Sequence, residues 1–245
     1  MSGHSKWSQI KFQKAIKDLR RGKEFSKLIN AITAAAKQGG GDVSSNLRLR
    51  LLLEQARQSN LPRENVERAI KRGTGQLPGV VVEEALYEVI GPQGVGILIS
   101  AFTDNKNRTT SNLKSILNRY GGKLASPGAV SYNFIQQGVL VLDKGGEEQE
   151  LWAIEAGAID FVTEEGSLFV YTEPSDLEKV KKFFEEKGAE IKSAQLSFEP
   201  KNLVEIKETK SAGQVLNLVN ALEEMEEVSD IYSNFDIPTE IVENR

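Results

Sequence analysis

"GTGQLPG", residues 73–79, places three glycines and a proline in seven positions with no apolar period, and the chain reads differently on its two sides. Upstream, apolar residues recur at helical spacing; downstream, short β-prone runs alternate with helical ones. The segment reads as a linker, so the chain is expected to hold more than one domain.

On the upstream side, Phe12, Ala15, Ile16 and Leu19 recur at i, i+3, i+4 and i+7, as do Phe25, Leu28, Ile29 and Ile32, then Leu49, Leu52, Leu53 and Ala56. Three amphipathic helices follow. "QGGGDVSSN" (38–46) separates the second from the third, with Ser44 or Ser45 placed as an N-cap. "NLPRENVERAIKRGTG" (60–75) predicts a fourth short helix, with Pro62 near its first position, Val66, Ala69 and Ile70 on one face and Gly73 just past its end.

On the downstream side, "EEALYEVI" (83–90) and "GVGILISAF" (94–102) predict strands joined by "GPQG". "TTSNLKSILNRY" (109–120) predicts a helix stopped by Gly121, and "AVSYNF" (129–134) another strand. From 136 the runs "GVLVL", "EEQELWAIEAG", "AIDFV", "SLFVYT", "PSDLEKVKKFFEEKG" and "IKSAQLSF" spell β-α-β-β-α-β, the ferredoxin-like order. "LVEIKE" (203–208), "SAGQVLNLVNALEEM" (211–225) and "VSDIYSNF" (228–235) then form a strand-helix-strand unit with no sheet of its own. The expectation is an α+β multidomain chain: a basic helical bundle (1–75), a discontinuous α/β domain (80–135 plus 200–245), and a ferredoxin-like domain (136–199) inserted in it.

Composition narrows the function. The 245 residues contain no cysteine and one histidine, His4, which excludes disulfides, thiolate metal sites, cysteine nucleophiles and histidine-rich metal centres. No stretch approaches the roughly 20 apolar residues of a membrane span, and the start lacks a signal-like apolar run, so a cytoplasmic protein is expected. Net charge is −4, but residues 1–75 hold 16 Lys and Arg against 6 acids, a net of +10, and the remainder carries −14. So polar a split points to a polyanionic partner for the basic part.

The helical wheel places those cations. At 100° per residue from Phe12, Lys14, Lys17 and Arg21 fall about 140° to 200° away, opposite the apolar face. Stepping from Val66 sends Arg68, Lys71 and Arg72 away from the buried side as well. Ahead of the first helix, "SGHSKW" sets Trp7 beside Lys6, which suits stacking on a base with a phosphate contact; folding back as a hydrophobic staple is the other use of that tryptophan.

Catalysis finds little to work with. "GGGD" (39–42) is not followed by Gly-Lys-Ser/Thr and is no phosphate-binding loop. "TDNKNRTT" (103–110) is the densest polar cluster, yet it has no His, no paired carboxylates and no nucleophile beside a base. It reads either as a turn with Thr109 as N-cap or, through Asp104, Asn105, Lys106, Asn107 and Arg108, as a secondary phosphate contact. The acidic run at 147–150 suits a helix first turn better than a metal site.

Seven motifs in order, "GHSKW", "RRGKEFSKLI", "GGGD…N.RLR", "NLPRENVERAIKRGTG", "YEVIGPQGVGILI", "TDNKNRT" and "YGGKLASPGAVSYNF", resemble the YebC family, in register from residue 2 to about 134 and by element order beyond. That family includes bacterial proteins named as probable transcriptional regulators and a mitochondrial translational activator of a cytochrome oxidase subunit. No cofactor, metal or small-molecule substrate is expected from the residues. The resemblance implies three domains: an N-terminal helical one, a middle α/β one completed by the C-terminus, and an inserted ferredoxin-like one. It also implies a non-enzymatic role in gene expression, either as a DNA-binding transcriptional regulator or as a ribosome-associated factor that binds ribosomal RNA and helps translation through stretches such as polyproline. The family positions matched in the basic domain are His4, Ser5, Lys6, Trp7, Lys11, Lys14, Arg21, Gly22, Lys23, Lys27, Arg48, Arg50, Arg63, Arg68, Lys71 and Arg72; without Gly22 and with Lys17 and Arg20 these are the candidate nucleic-acid contacts. The sequence departs from the family at Phe12 and Gln13, where a His and a basic residue are usual, and at Leu47, where Pro is usual. Leu47 with Leu51 gives the third helix a second apolar edge.

Overall fold

The structure is a computed structural model that describes residues 21–79 and 82–238. The first predicted helix, around Phe12 to Leu19, lies outside these residues. Helices α1 (Arg21–Gly39), α2 (Leu47–Gln58) and α3 (Arg63–Gly73) open the described chain. Their shared core is built from the residues with helical spacing: Leu28, Ile32, Leu49, Ala56 and Ala69 are buried, and Phe25, Ile29, Leu52, Leu53, Val66 and Ile70 pack against them. Leu51 on the second edge of α2 is also buried, beside a half-buried Leu47.

The joints between these helices differ from expectation. Asn46, not Ser44 or Ser45, caps α2: its Oδ1 accepts from the Leu49 N–H at 3.0 Å, and its Nδ2 donates to the carbonyls of Ala35 (2.9 Å) and Gly40 (2.8 Å). One side chain thereby satisfies orphan groups of two helix ends. The serines fail as caps because the Ser44 N–H and hydroxyl bind the Asp42 carboxylate. Pro62 sits at the N-cap position of α3. Gly73 belongs to the last turn of α3 rather than following it, because α3 crosses α1 there: a Cβ would overlap the Thr33 carbonyl oxygen and lie 2.7 Å from the Ala36 Cβ.

Next come β1 (Glu83–Ile90), β2 (Gly96–Thr103), α4 (Lys106–Tyr120) and β3 (Lys123–Leu124). The tight turn between β1 and β2 places Gln93 at φ 62° and Gly94 at φ 75°. α4 starts three residues earlier than expected because Asn105, not Thr109, is its cap, accepting from the Arg108 N–H; Thr109 is buried and its hydroxyl donates to that of Thr103 at 2.8 Å. Gly121 in the left-handed region ends the helix, as expected. No strand covers 129–133. That stretch curls around Glu88 of β1, whose carboxylate accepts from the N–H groups of Gly128 (2.6 Å), Val130 (2.6 Å) and Ser131 (2.9 Å), and residues 131–133 form a 3-10 turn.

Then follow β4 (Phe134–Leu142), α5 (Glu147–Ala156), β5 (Asp160–Glu164), β6 (Ser167–Thr172), α6 (Leu177–Glu186) and β7 (Ile191–Pro200), and finally β8 (Val204–Glu205), α7 (Thr209–Glu223), β9 (Val228–Ser233) and β10 (Phe235–Asp236). The result is an α+β protein with seven helices among the described residues. Its four-stranded sheets are antiparallel throughout, and the short β8–β10 pair is parallel.

The described chain divides into two compact units. One, residues 21–131 with 204–238, carries the sheet β3-β1-β2-β9; Ala31 and Ala34 of α1 pack on Phe102 of β2, with Leu52 and Val82 alongside. β9, more than 120 residues after β2 in sequence, is hydrogen-bonded beside it, so the C-terminal strand completes the sheet begun by β1. The other unit, 132–203, carries the sheet β5-β6-β4-β7, with α6 against Gly138 of β4, where a Cβ would overlap the Thr172 hydroxyl and lie 2.8 Å from the Leu177 Cβ. No helix of the described residues is long and apolar enough to cross a membrane.

Candidate nucleic-acid interface

The basic region sorts its cations into two sets. His4, Ser5, Lys6, Trp7, Lys11, Lys14, Lys17 and Arg20 lie outside the described residues, as do the side chains of Arg21 and Lys23. Among the rest, what decides the set is whether a distant element brings an acceptor within reach.

Lys27 and Arg48 find such acceptors. The Lys27 amine donates to the Glu223 carbonyl at 3.0 Å, answering an orphan group in the last turn of α7. Arg48 on α2 makes a bidentate pair with Glu84 of β1, both bonds 2.6 Å, and also donates to Gln38 at 3.2 Å. Burial pushes the Glu84 carboxyl up, but the Arg48 guanidinium, with hydrogen bonds from Gln38 and Ser100, holds it below its ordinary value; the hydrogen bonding to Glu84 raises Arg48. Next to this pair, Glu83 receives Lys106 and Lys37, each at 3.2 Å, and is held low by those two amines. In this structure these cations tie helices to the sheet and chain end. Arg50 is half-buried on α2.

α3 carries the outward set. Its last two turns send Val66, Ala69 and Ile70 to the core and leave Arg68, Lys71 and Arg72 exposed, as the wheel predicts. Arg68 is loosely paired with Glu64 at 3.5 Å, and Arg63, 92% exposed, with Glu67 at 2.9 Å. Both are solvent-screened i,i+4 pairs that compete weakly with an incoming phosphate. Lys71 and Arg72 have no ion pair among the described residues, and the last turn of a helix is where cations are favoured by the macrodipole. Arg57, exposed in the last turn of α2 and likewise without an ion pair there, joins this set. Arg57 is not among the sequence-based candidates; its place as a basic residue in the last turn of α2 is the signal that marks it.

The cluster at 104–108 behaves as a turn. Arg108 in the first turn of α4 pairs with Asp104 just ahead of the helix, Lys106 pairs with Glu83, and Asn105 is the helix cap; Asn107 is exposed. Among the described residues no group of three or more His, Cys, Asp or Glu stands close enough to hold a metal. A shallow cleft of about 270 Å³ opens between α5 and α6, lined by Glu155, Ala156, Lys179, Lys182, Phe183 and Glu186.

Known proteins resemble this chain over most of its length. Residues 5–76 match the family model described as the TACO1/YebC protein N-terminal domain, and residues 82–235 match that described as the TACO1/YebC second and third domain. A protein of Halothermothrix orenii named "Probable transcriptional regulatory protein" is 47% identical over 248 residues, covering 99% of this chain and 98% of its own. One of the same name from Thermotoga maritima is 46% identical, covering 97% and 94%. These relatives are named as regulators rather than as enzymes. The crystal structure of a conserved hypothetical protein from Aquifex aeolicus superposes with a TM-score of 0.84 at 42% identity, over 90% of this chain and 92% of that one.

Proposed function

The chain belongs to the TACO1/YebC family, and from that premise we propose that it is a non-enzymatic, nucleic-acid-binding regulator of gene expression that grips promoter DNA through its basic helical region. The observation that carries this reading is the outward face of α3, where Lys71 and Arg72 stand exposed with no ion pair among the described residues, next to Arg68. Such a face draws a phosphate backbone without reading sequence, and each phosphate neutralised releases counterion. His4, Ser5, Lys6, Trp7, Lys11, Lys14, Lys17, Arg20, Arg21 and Lys23 extend the same grip in this proposal, with Trp7 stacking on a base. The proposal takes 136–199 as a ferredoxin-like domain inserted in the α/β domain of 80–135 plus 200–245, with neither acidic domain taking part in the nucleic-acid contact. It places the protein in the cytoplasm.

The test is a titration of the full-length protein with labelled duplexes from its own promoters at several salt concentrations. The variants Lys71→Ala/Arg72→Ala and Lys14→Ala/Lys17→Ala/Arg21→Ala are titrated beside it. Affinity should fall linearly on a log-log salt plot, with a slope shallower by about one for each phosphate contact a variant removes. Affinity indifferent to salt overturns the reading. Salt-sensitive co-sedimentation with the cell's ribosomes, with no retention on promoter DNA, moves the same face to ribosomal RNA and makes the protein a translation factor.

A further inference from the structure

Helix α5 departs from the pattern by which surface helices are built. A solvent-facing helix keeps its apolar residues on one stripe. α5 buries Ala153 and Ala156 and half-buries Trp152, whose ring meets the edge of Phe184 at 6.3 Å between centroids. It then leaves Leu151 and Ile154, one turn apart on the far side, 65% and 63% exposed. Ile159, just past the helix end, is 49% exposed. A single exposed apolar residue needs no explanation, whereas three large ones within nine residues mark a contact surface.

On α5 itself and in the segment that follows it, the charge has one sign. Residues 145–178 contain ten Asp or Glu and no Lys or Arg. Glu147 and Glu148, both exposed, lie one turn before Leu151, and Glu155 lies one turn after it. The macrodipole accounts for acids in the first turn but not for the apolar residues they flank. The acidic field ends on the α6 side, where Lys187 approaches Glu155 at 3.4 Å and Lys179 and Lys182 line the cleft.

We propose that the outer face of α5 docks a cationic amphipathic helix of a partner protein, whose apolar side chains cover Leu151 and Ile154 while its Lys and Arg meet Glu147 and Glu148. Complementary charge around an apolar centre selects such a partner and repels an acidic helix or a nucleic acid. A two-fold contact of this face with a second copy would set like-charged rims against each other.

The experiment titrates the full-length protein with a fluorescent Leu/Lys amphipathic peptide, beside a scrambled peptide of the same composition and a Leu/Glu amphipathic peptide. The Leu/Lys peptide alone should bind. Leu151→Ser/Ile154→Ser should weaken it about tenfold, and Glu147→Gln/Glu148→Gln roughly threefold. All four side chains point outward, so an unchanged thermal transition is expected, and the two pairs check each other should one variant fold poorly. Lys71→Ala/Arg72→Ala should leave peptide binding intact, which separates this surface from the nucleic-acid reading. Equal binding of the scrambled or the Leu/Glu peptide, or indifference to both outward pairs, overturns the proposal. So does concentration-dependent self-association that Leu151→Ser/Ile154→Ser abolishes, since a second copy would then be the occupant.

Discussion

Helices α3 and α5 are almost equal in length, 11 and 10 residues, and they treat solvent in opposite ways. α3 turns a small apolar stripe inward and shows Arg63, Arg68, Lys71 and Arg72; α5 buries two alanines and shows Leu151 and Ile154 between carboxylates. The lesson is that the charge split along the chain becomes two surfaces of different chemistry. Under the proposed function a polyanion is drawn to the first by Coulomb attraction and counterion release, whereas the second offers apolar area that only a partner able to exclude water can use.

The comparison breaks most completely if α3 loses its seat. Gly73→Val forces a side chain into the α1 backbone at Thr33 and should cost about 3 kcal/mol. Amide hydrogen exchange should then accelerate in α1 and α3 while the amides of β4 to β7 keep their protection.

Arg48→Ala sharpens the contrast between a structural and an outward cation. It leaves Glu84 half-buried and unmatched, so a urea midpoint should report a loss of about 2 kcal/mol while the salt slope of nucleic-acid binding stays as it was. Acid probes the same scaffold. Glu88, like Glu84, is pushed up by burial, yet the N–H groups of Gly128, Ser131 and Val130 outweigh that and hold it below its ordinary value. A carboxyl lowered in the folded chain contributes its stability above the unfolded value and loses it as pH falls through the folded one. Stability should therefore decline below the ordinary glutamate value of 4.5, and Glu84→Gln/Glu88→Gln should flatten that acid limb at the expense of stability near neutral pH.

Lys71→Ala/Arg72→Ala should do the reverse of Arg48→Ala, lowering the salt slope by about two without moving the urea midpoint. The smallest effect belongs to Arg63→Ala, which removes an exposed i,i+4 pair and should shift stability by no more than about 0.5 kcal/mol.

Much of the scaffold was legible in the residues, for a local reason. Val66, Ala69 and Ile70, or Leu49, Leu53 and Ala56, reveal their inward face through spacing alone, because helical periodicity is a property of a dozen consecutive residues. The helix caps were less legible. Ser44, Ser45 and Thr109 are as good N-cap types as Asn46 and Asn105; Asn46 won because its side chain also met the Ala35 and Gly40 carbonyls, and Thr109 was lost as a cap because its hydroxyl was taken by that of Thr103. The stretch 129–134 carries the alternation of a strand, yet its backbone donors at 130 and 131 were claimed by Glu88, some forty residues earlier. Gly73 looked like a helix stop because a glycine near a helix end usually is one; its role in letting α3 touch α1 has no mark in the local sequence.

By itself the sequence determined most of the order of elements, the inward faces of α1, α2 and α3, the family and the charge asymmetry, because these follow from composition, spacing and motifs along the chain. Only the tertiary structure decided which cations remain on offer. Lys27, Arg48, Lys71 and Arg72 sit on neighbouring helices of similar pattern, and nothing adjacent in sequence tells them apart. The difference is that Glu84 and the Glu223 carbonyl, brought from elsewhere in the chain, come within hydrogen-bond distance of the first two and not of the last two.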